Sequence, residues 1–330
     1  MDLEKLPRVL LADLPTRIDE LPRLSRELNG PRLLVKRDDQ TGLATGGNKT
    51  RKLEFLMADA LAQGADLVIT AGAAQSNHCR QTAAAAARLG LDCALVLGGE
   101  PPATPSGNLL LDHLLGAQIT WTGPHRRGEQ LEEIADQMRA AGRRPYVVPY
   151  GGSDAVGATG YVAAMLELHQ QVSGDVWSSI DRIVFASSSG GTQAGLAVGA
   201  RATGFGGQIL GVRIDKGEAG DDPYPVHLAR LANATAARAG LEYEFAPQDF
   251  ALNPDYLGRG YGVVGDLERE AIHLAGRMEG LLLDPVYTGR AMGGLIDMIR
   301  RGAIGPRETV LFWHTGGMPA LFAYVDALIS

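Results

Sequence analysis

Short apolar segments alternate along the chain with amphipathic segments at helical spacing. Residues 53–61 and 131–138 place Leu, Ile, Met and Ala at positions three or four apart, which predicts helices. The apolar segments are brief, and most lack polar alternation, as expected of parallel strands covered on both faces. The predicted strands are 33–36, 66–70, 93–97, 118–122, 145–149, 182–186, 209–214 and 310–313. Strands alternating with helices predict an α/β fold in which helices flank parallel sheets.

Composition narrows the classes of protein to consider. The 330 residues are 45% apolar and 21% charged, which suits two α/β lobes or one large one. A net charge of −7 without a basic cluster argues against nucleic-acid binding. Two cysteines, Cys79 and Cys93, argue against a disulfide framework or a metal site. No signal-peptide core or membrane-length apolar segment is present, so we expect a cytoplasmic protein.

Glycine is unusually frequent, at 43 of 330 residues. The typical frequency is about 7%. Such an excess predicts many tight strand-to-helix turns and places where the backbone approaches a ligand closely.

A first candidate site precedes the helix predicted over 53–61. The sequence Gly46-Gly47-Asn48-Lys49 nearly matches a nucleotide phosphate loop that begins at Gly42, but Asn48 breaks the spacing. An ordinary solvated helix start is the alternative. Cations at 51 and 52 and the helix N-terminus favour a neutral Lys49 amine, which a nucleophile needs.

Two further polar motifs follow predicted strands directly. Residues 75–78, Gln-Ser-Asn-His, follow the strand 66–70, where they either cap a helix or contact a ligand. Residues 187–195, with the sequence SSSGGTQAG, follow the strand 182–186 and open a helix. Hydroxyls and glycine N–H groups at a helix N-terminus favour anion binding over a plain serine-rich turn.

Two weaker motifs lie towards the C-terminus. Tyr261 and Tyr287 stand beside glycines in predicted turns, where packing is the alternative to substrate contact. Residues 314–317, His-Thr-Gly-Gly, follow the last predicted strand. Because carboxyl ends of parallel strands share one edge, we expect the strand-end motifs to lie close together.

Together these motifs resemble those of the family of pyridoxal phosphate (PLP) enzymes that contains D-cysteine desulfhydrase, 1-aminocyclopropane-1-carboxylate deaminase and L-cysteate sulfo-lyase. The similarity extends over 36–324 and includes the motif LLLDPVYTG. It implies a two-domain fold of type II, like the tryptophan synthase β subunit, and a homodimer. The expected domains are a large one of 1–52 and 160–330 and a small one of 53–159.

The resemblance also implies how the cofactor is held. Lys49 would bind PLP as a Schiff base, Asn77 would bond the pyridine 3′-oxygen, and Thr288 would face the pyridine nitrogen. The expected phosphate ligands are Lys52, Ser188, Ser189, Gly190, Gly191 and Thr192.

On the substrate side, the resemblance implies catalytic roles for Lys49, Ser76, Tyr261 and Tyr287. The expected substrate contacts are Ser76, Asn77, His78 and Thr315. The deaminase members carry Glu and Leu where this chain has Thr288 and Thr315. A hydroxyl leaves the pyridine nitrogen less protonated than a carboxylate does, which favours elimination of a good leaving group.

The sequence therefore predicts α,β-elimination on a small β-sulfur amino acid, with D-cysteine giving pyruvate, hydrogen sulfide and ammonia. Release of sulfite from L-cysteate is the nearest alternative. Ring opening of 1-aminocyclopropane-1-carboxylate and non-catalytic PLP binding are weaker ones. An exposed lid is predicted over 216–225.

Overall fold

Two sheets, both flanked by helices, form the core of the protein. The computed structural model describes residues 3–172, 177, 179–215 and 222–329. Residues 216–221 of the predicted lid lie outside this set, and Tyr224 and Pro225 open a helix. No helix in the described ranges is long and apolar enough to cross a membrane.

The larger sheet has six strands in the order β1-β2-β10-β7-β8-β9. Its strands are β1 (Ile18–Glu20), β2 (Arg32–Lys36), β7 (Arg182–Ser187), β8 (Gln208–Arg213), β9 (Ala251–Asn253) and β10 (Thr309–Trp313). Every pair in it is parallel except β1 with β2. The strand β10, near the end of the sequence, therefore lies between β2, from the start of the sequence, and β7, from its middle.

The smaller sheet has four parallel strands in the order β5-β4-β3-β6. Its strands are β3 (Leu67–Ala73), β4 (Asp92–Gly98), β5 (Gln118–Trp121) and β6 (Pro145–Val147). All eight predicted strands are thus present. The strands β1 and β9 were not predicted, because three-residue segments without an apolar run give no periodic signal.

Helices cover both sheets. They are α1 (Pro22–Glu27), α2 (Asn48–Ala62), α3 (Asn77–Leu89), α4 (Gly107–Leu114), α5 (Leu131–Ala140), α6 (Ala155–Gln171), α7 (Gly191–Thr203), α8 (Tyr224–Arg238), α9 (Asp266–Glu279), α10 (Thr288–Arg300) and α11 (Val325–Ile329). The predicted domain boundaries fall inside α2 and α6. The two sheets separate in sequence roughly as the predicted domains do, and the boundaries themselves stay a prediction.

Candidate active site

A cleft lies where strands of both sheets end. The turns after β3, β6, β7 and β10 all contribute to its wall. Its lining residues are Asn48, Lys49, Ser76, Asn77, His78, Tyr150, Gly151, Ala186, Ser187, Ser188, Ser189, Gly190, Thr192, Gln193, Tyr287 and Thr315. The strand-end motifs therefore converge on one cleft.

Lys49 is the second residue of α2, and a glycine turn aims it into the cleft. Gly46 and Gly47 have φ of 70° and 130°, which side chains on L-residues rarely allow. A Cβ at Gly47 would also lie only 2.3 Å from Gln81 Nε2. The Lys49 ammonium donates to the carbonyl oxygen of Gly151 at 3.1 Å. Burial lowers the pKa of Lys49 to about 8, which leaves a usable neutral amine near neutral pH.

Lys52, one turn further along α2, reaches the same carbonyl oxygen. Its Nζ lies 3.1 Å from the oxygen of Gly151 and 3.1 Å from Ser153 Oγ. Burial, followed by the nearby charge of Lys49, holds its pKa well below its ordinary value. Within the described ranges no carboxylate forms an ion pair with either ammonium group. A buried amine and a half-buried one that share one carbonyl favour a bound anion between them.

The turn before α7 provides a second half of this anion site. Ser189 and Ser153 share a hydrogen bond of 2.7 Å, and the N–H of Gly191 donates to Ser153 at 3.1 Å. A Cβ at Gly191 would lie 2.8 Å from Lys52 Nζ, and one at Gly151 would lie 2.3 Å from Ser189 Oγ. Glycine at these positions keeps the space open in front of a 13-residue helix.

This arrangement fits a phosphate-bearing cofactor attached to a lysine. A dianion can accept from the amine of Lys52, from hydroxyls and from N–H groups at the N-terminus of α7. The amine of Lys49 stands beside that cradle with a lowered pKa. The residues present thus match what PLP requires.

The N-terminus of α3 also contributes to the cleft wall. Ser76 caps the helix, since its Oγ accepts from the N–H of Cys79 at 3.1 Å. Asn77 is oriented by Asn108, whose Nδ2 donates to Asn77 Oδ1 at 2.8 Å. The hydroxyl hydrogen of Ser76, the Asn77 amide and the helix N-terminus are suited to a carboxylate.

His78 is a neutral imidazole held by Thr70. The Thr70 hydroxyl donates to the carbonyl of Val148, so His78 Nε2 must donate to Thr70 Oγ1, at 2.9 Å. Burial, and then the charges of Lys49 and Lys52, lower its pKa well below the ordinary value. Its Nδ1 is buried without a hydrogen-bond partner among the described residues.

The two predicted tyrosines form a pair. Tyr287 lines the cleft, and its phenol oxygen lies 2.6 Å from that of Tyr261. The rings meet edge to face, with centroids 5.9 Å apart. Burial raises the pKa of both phenols, so each is protonated at neutral pH.

Four predicted site residues do not line the cleft. Lys52 and Gly191 contact the cradle residues Gly151 and Ser153, and Tyr261 hydrogen-bonds to Tyr287. The Thr288 hydroxyl donates to the Asp284 carboxylate at 2.7 Å and accepts from the Asp284 N–H at 2.7 Å. Of the two threonines that distinguish this chain, Thr315 lines the cleft.

Sequence reasoning missed several lining residues. Among them, Tyr150 and Gly151 follow β6 within four residues, which is the same strand-end signal that identified the other motifs. Asn48 and Gln193 lie within the candidate motifs 46–49 and 187–195, and the amide of Asn48 donates to Thr192 Oγ1 at 3.2 Å.

Comparison with known proteins agrees with this geometry. The D-cysteine desulfhydrase of Klebsiella pneumoniae (strain 342) is 47% identical over 332 residues, which cover 98% of each chain. A solved structure of an ACC deaminase homologue superposes with a TM-score of 0.89 at 40% identity, covering 99% of this chain and 97% of that one.

More distant structures share the fold alone. The processed form of threonine deaminase isoform 2 from Solanum lycopersicum has a TM-score of 0.65 at 16% identity, covering 96% of this chain and 83% of that one. The predicted α/β fold of type II is confirmed. The model of the family described as pyridoxal-phosphate dependent enzyme matches residues 9–316, and the chain belongs to that family.

Proposed function

We propose that this protein is a carbon–sulfur lyase that converts D-cysteine and water into pyruvate, hydrogen sulfide and ammonia. The observation that carries the proposal is the cleft itself. It brings a lysine amine with a pKa of about 8, an anion cradle, a helix N-terminus and a phenol pair around one small space. The curated relative that is 47% identical is a D-cysteine desulfhydrase.

The protein's residues divide the remaining work around the cofactor. Bound PLP supplies an electron sink for negative charge that develops at the substrate α-carbon. Lys49 would hold the cofactor, and its Nζ is suited to accept the α-proton, because its pKa is lowered to about 8. Ser76 and Asn77 bind the substrate carboxylate at the N-terminus of α3. Lys52 and the 188–192 turn hold the phosphate.

The phenol pair is suited to the leaving sulfur. Both phenols are protonated at neutral pH, and Tyr287 lines the cleft. Tyr287 can donate a hydrogen bond to the departing sulfur, and the 2.6 Å hydrogen bond to Tyr261 fixes the orientation of its phenol. The sulfur would then depart as hydrosulfide stabilised by this hydrogen bond and take up a proton from water to give hydrogen sulfide.

The lining favours sulfide over sulfite. A sulfonate leaving group needs cationic partners, whereas Lys49 is the one cation among the lining residues described. We therefore expect turnover of D-cysteine to exceed that of L-cysteate. The third substrate to compare is 1-aminocyclopropane-1-carboxylate, which would react by ring opening.

The substitution Lys49→Ala tests the assignment. We expect turnover of D-cysteine to fall by at least about a thousandfold, because the general base and the attachment point are both lost. Sulfide and pyruvate would be measured together with the visible absorbance of the bound cofactor. Lys5→Ala, at an exposed lysine, is the matched control and should retain both signals.

The other outcomes of this experiment are distinct. Full turnover by the Lys49→Ala protein would refute the role of Lys49. A coloured wild-type protein that turns over none of the three substrates would favour non-catalytic PLP binding.

The homodimer and the cytoplasmic location stay predictions. Light scattering on the purified protein would decide whether it is a dimer.

A further inference from the structure

Arg126 lies in the loop between β5 and α5, yet it contacts the part of the chain that forms the larger sheet. Its Nη2 donates to Asp215 Oδ2 at 2.6 Å, just beyond the end of β8. Arg127 donates to the same oxygen at 2.8 Å. These side chains are between 12% and 29% exposed, so the pairs are shielded from water more than surface ion pairs are.

The guanidinium of Arg126 also contacts two tyrosines. Its central carbon lies 4.1 Å from the centroid of the Tyr261 ring, which is a close cation–π contact. Its Nη1 lies 3.3 Å from the phenol oxygen of Tyr150, which lines the cleft. Tyr261 in turn bonds Tyr287. One side chain thus contacts Tyr150 and one member of the phenol pair.

The loop that carries Arg126 is packed against the end of β4. A Cβ on Gly98 would lie 2.4 Å from Arg126 Cβ and 2.8 Å from its Cα. The N–H of Gly99 donates to the carbonyl of Gly123, and Thr122 Oγ1 donates to the carbonyl of His125 at 2.6 Å. The absence of a side chain at Gly98 therefore allows the arginine to reach the tyrosines.

We infer that Arg126 is a positioning residue for the Tyr261–Tyr287 pair, held in place by Asp215 and by the close packing at Gly98. The inference rests on the proposed function, in which that pair hydrogen-bonds to the leaving sulfur. The planar guanidinium covers one face of the Tyr261 ring, so the phenol keeps its orientation towards Tyr287. An arginine supplied by the smaller-sheet part of the chain thus orders a group in the larger-sheet part.

The substitution Arg126→Gln tests this role. A small misplacement of a reacting group costs up to about a hundredfold in rate, so we expect kcat for D-cysteine to fall about tenfold to a hundredfold. The KM for D-cysteine, the cofactor affinity and the cofactor absorbance should change little, because Arg126 contacts none of the residues predicted to bind the cofactor or the substrate. Arg126→Lys keeps the charge without the planar contact and should recover part of the loss.

Arg127→Gln is the matched control, because Arg127 binds the same carboxylate and has no described ring contact with Tyr261. We expect its kcat to stay within about twofold of the wild type, because Arg126 still covers the Tyr261 ring and still binds Asp215. Equal losses in the Arg126→Gln and Arg127→Gln proteins would overturn the inference in favour of a general electrostatic effect. Should Arg126→Gln fail to fold, the Arg126→Lys protein carries the same comparison.

A double-mutant cycle with Tyr261→Phe shows whether Arg126 acts through the phenol pair. Adding Arg126→Gln to Tyr261→Phe should cost less than about twofold in kcat, because contacting residues are not additive when they act as a unit. Fully additive losses would overturn the inference alone. Wild-type protein without turnover of any β-substituted amino acid would overturn the proposed function and this inference together.

Discussion

The reactivity of Lys49 comes from burial. The sequence suggested that the neighbouring cations would favour its neutral amine, but Arg51 turns away and pairs with Asp38 and Glu167. Lys52 shares the Gly151 oxygen with Lys49, and burial is the largest cause of the lowered pKa. Charge order along a helix does not reveal which side chains share a face or an ion pair.

The pH dependence of cofactor capture tests this account of Lys49. Only the neutral amine attacks an aldehyde, so the rate in cofactor-free protein should rise with pH through a midpoint near 8. Stopped-flow absorbance after mixing with PLP would give the rate at each pH. Nα-acetyl-lysine is the control, and its midpoint should lie near the ordinary value of about 10.4. A protein midpoint that coincides with the control would contradict the role of burial.

At the residue scale, the sequence identified those site residues that directly follow strands or open a helix. Ser76, Ser189 and Thr315 were predicted in this way, because strand ends are visible locally and parallel strands bring them together. Arg126 could not be predicted from the position of strand ends. Nothing near it in sequence indicates a site, and its tyrosine partner is 135 residues away. The roles assigned to these residues stay predictions.

At the element scale, glycine serves helix packing as well as turns. A Cβ on Gly195 in α7 would lie 2.3 Å from the carbonyl oxygen of Ala158 and 2.5 Å from Tyr161 Cβ. A Cβ on Gly199 would lie 2.5 Å from Met165 Cβ. The helices α6 and α7 therefore approach each other along a glycine edge. The sequence predicted glycine in turns and near ligands, but the partner helix is distant in the chain and gives no local signal.

Gly195→Ala should destabilise the protein. The added methyl meets backbone of α6, which cannot move without displacing the helix, so we expect a loss of about 1–3 kcal/mol in the free energy of unfolding. Urea unfolding followed by circular dichroism would measure it. Gly276→Ala is the matched control, because it is also inside a helix and its added Cβ meets no atom within 4 Å. That variant should gain about 0.4–1 kcal/mol, and a similar loss in both would contradict the packing argument.

At the scale of the whole molecule, the alternation of segments predicted the fold class but not the order of the strands. Pairing of β10 with β2 joins Leu311 to Leu34, and no local pattern encodes a contact across that separation. The resemblance predicted a two-domain arrangement that periodicity could not, and that arrangement stays a prediction. The predicted boundaries lie in α2 and α6, and a buried carboxylate, Asp38, connects both helices to the larger sheet.

Asp38 accepts hydrogen bonds from four elements or segments at once. The donors to its oxygens are Arg51 of α2 at 2.8 and 2.9 Å, Tyr161 of α6 at 2.7 Å, Trp313 of β10 at 2.7 Å and Thr16 at 3.0 Å. Burial alone would raise the pKa of this carboxyl, but Arg51 holds it below the ordinary value. The group is therefore ionised at neutral pH, and all of these hydrogen bonds lie in the interior of the protein.

Asp38→Asn should be among the most destabilising single-atom changes in the chain. The amide N–H groups would face other hydrogen-bond donors, which would lose their acceptor, and the buried Arg51 cation would lose a negatively charged partner. We therefore expect a loss of about 3–5 kcal/mol in the free energy of unfolding. Asp39→Asn is the control, since its ion pair with Arg37 is partly exposed and should cost about 1 kcal/mol or less. Because the carboxylate joins α2 to α6 and β10, the lost stability should also appear as faster amide exchange across all three elements. Exchange confined to β2, or equal losses in the two variants, would show that Asp38 does not connect these parts of the fold.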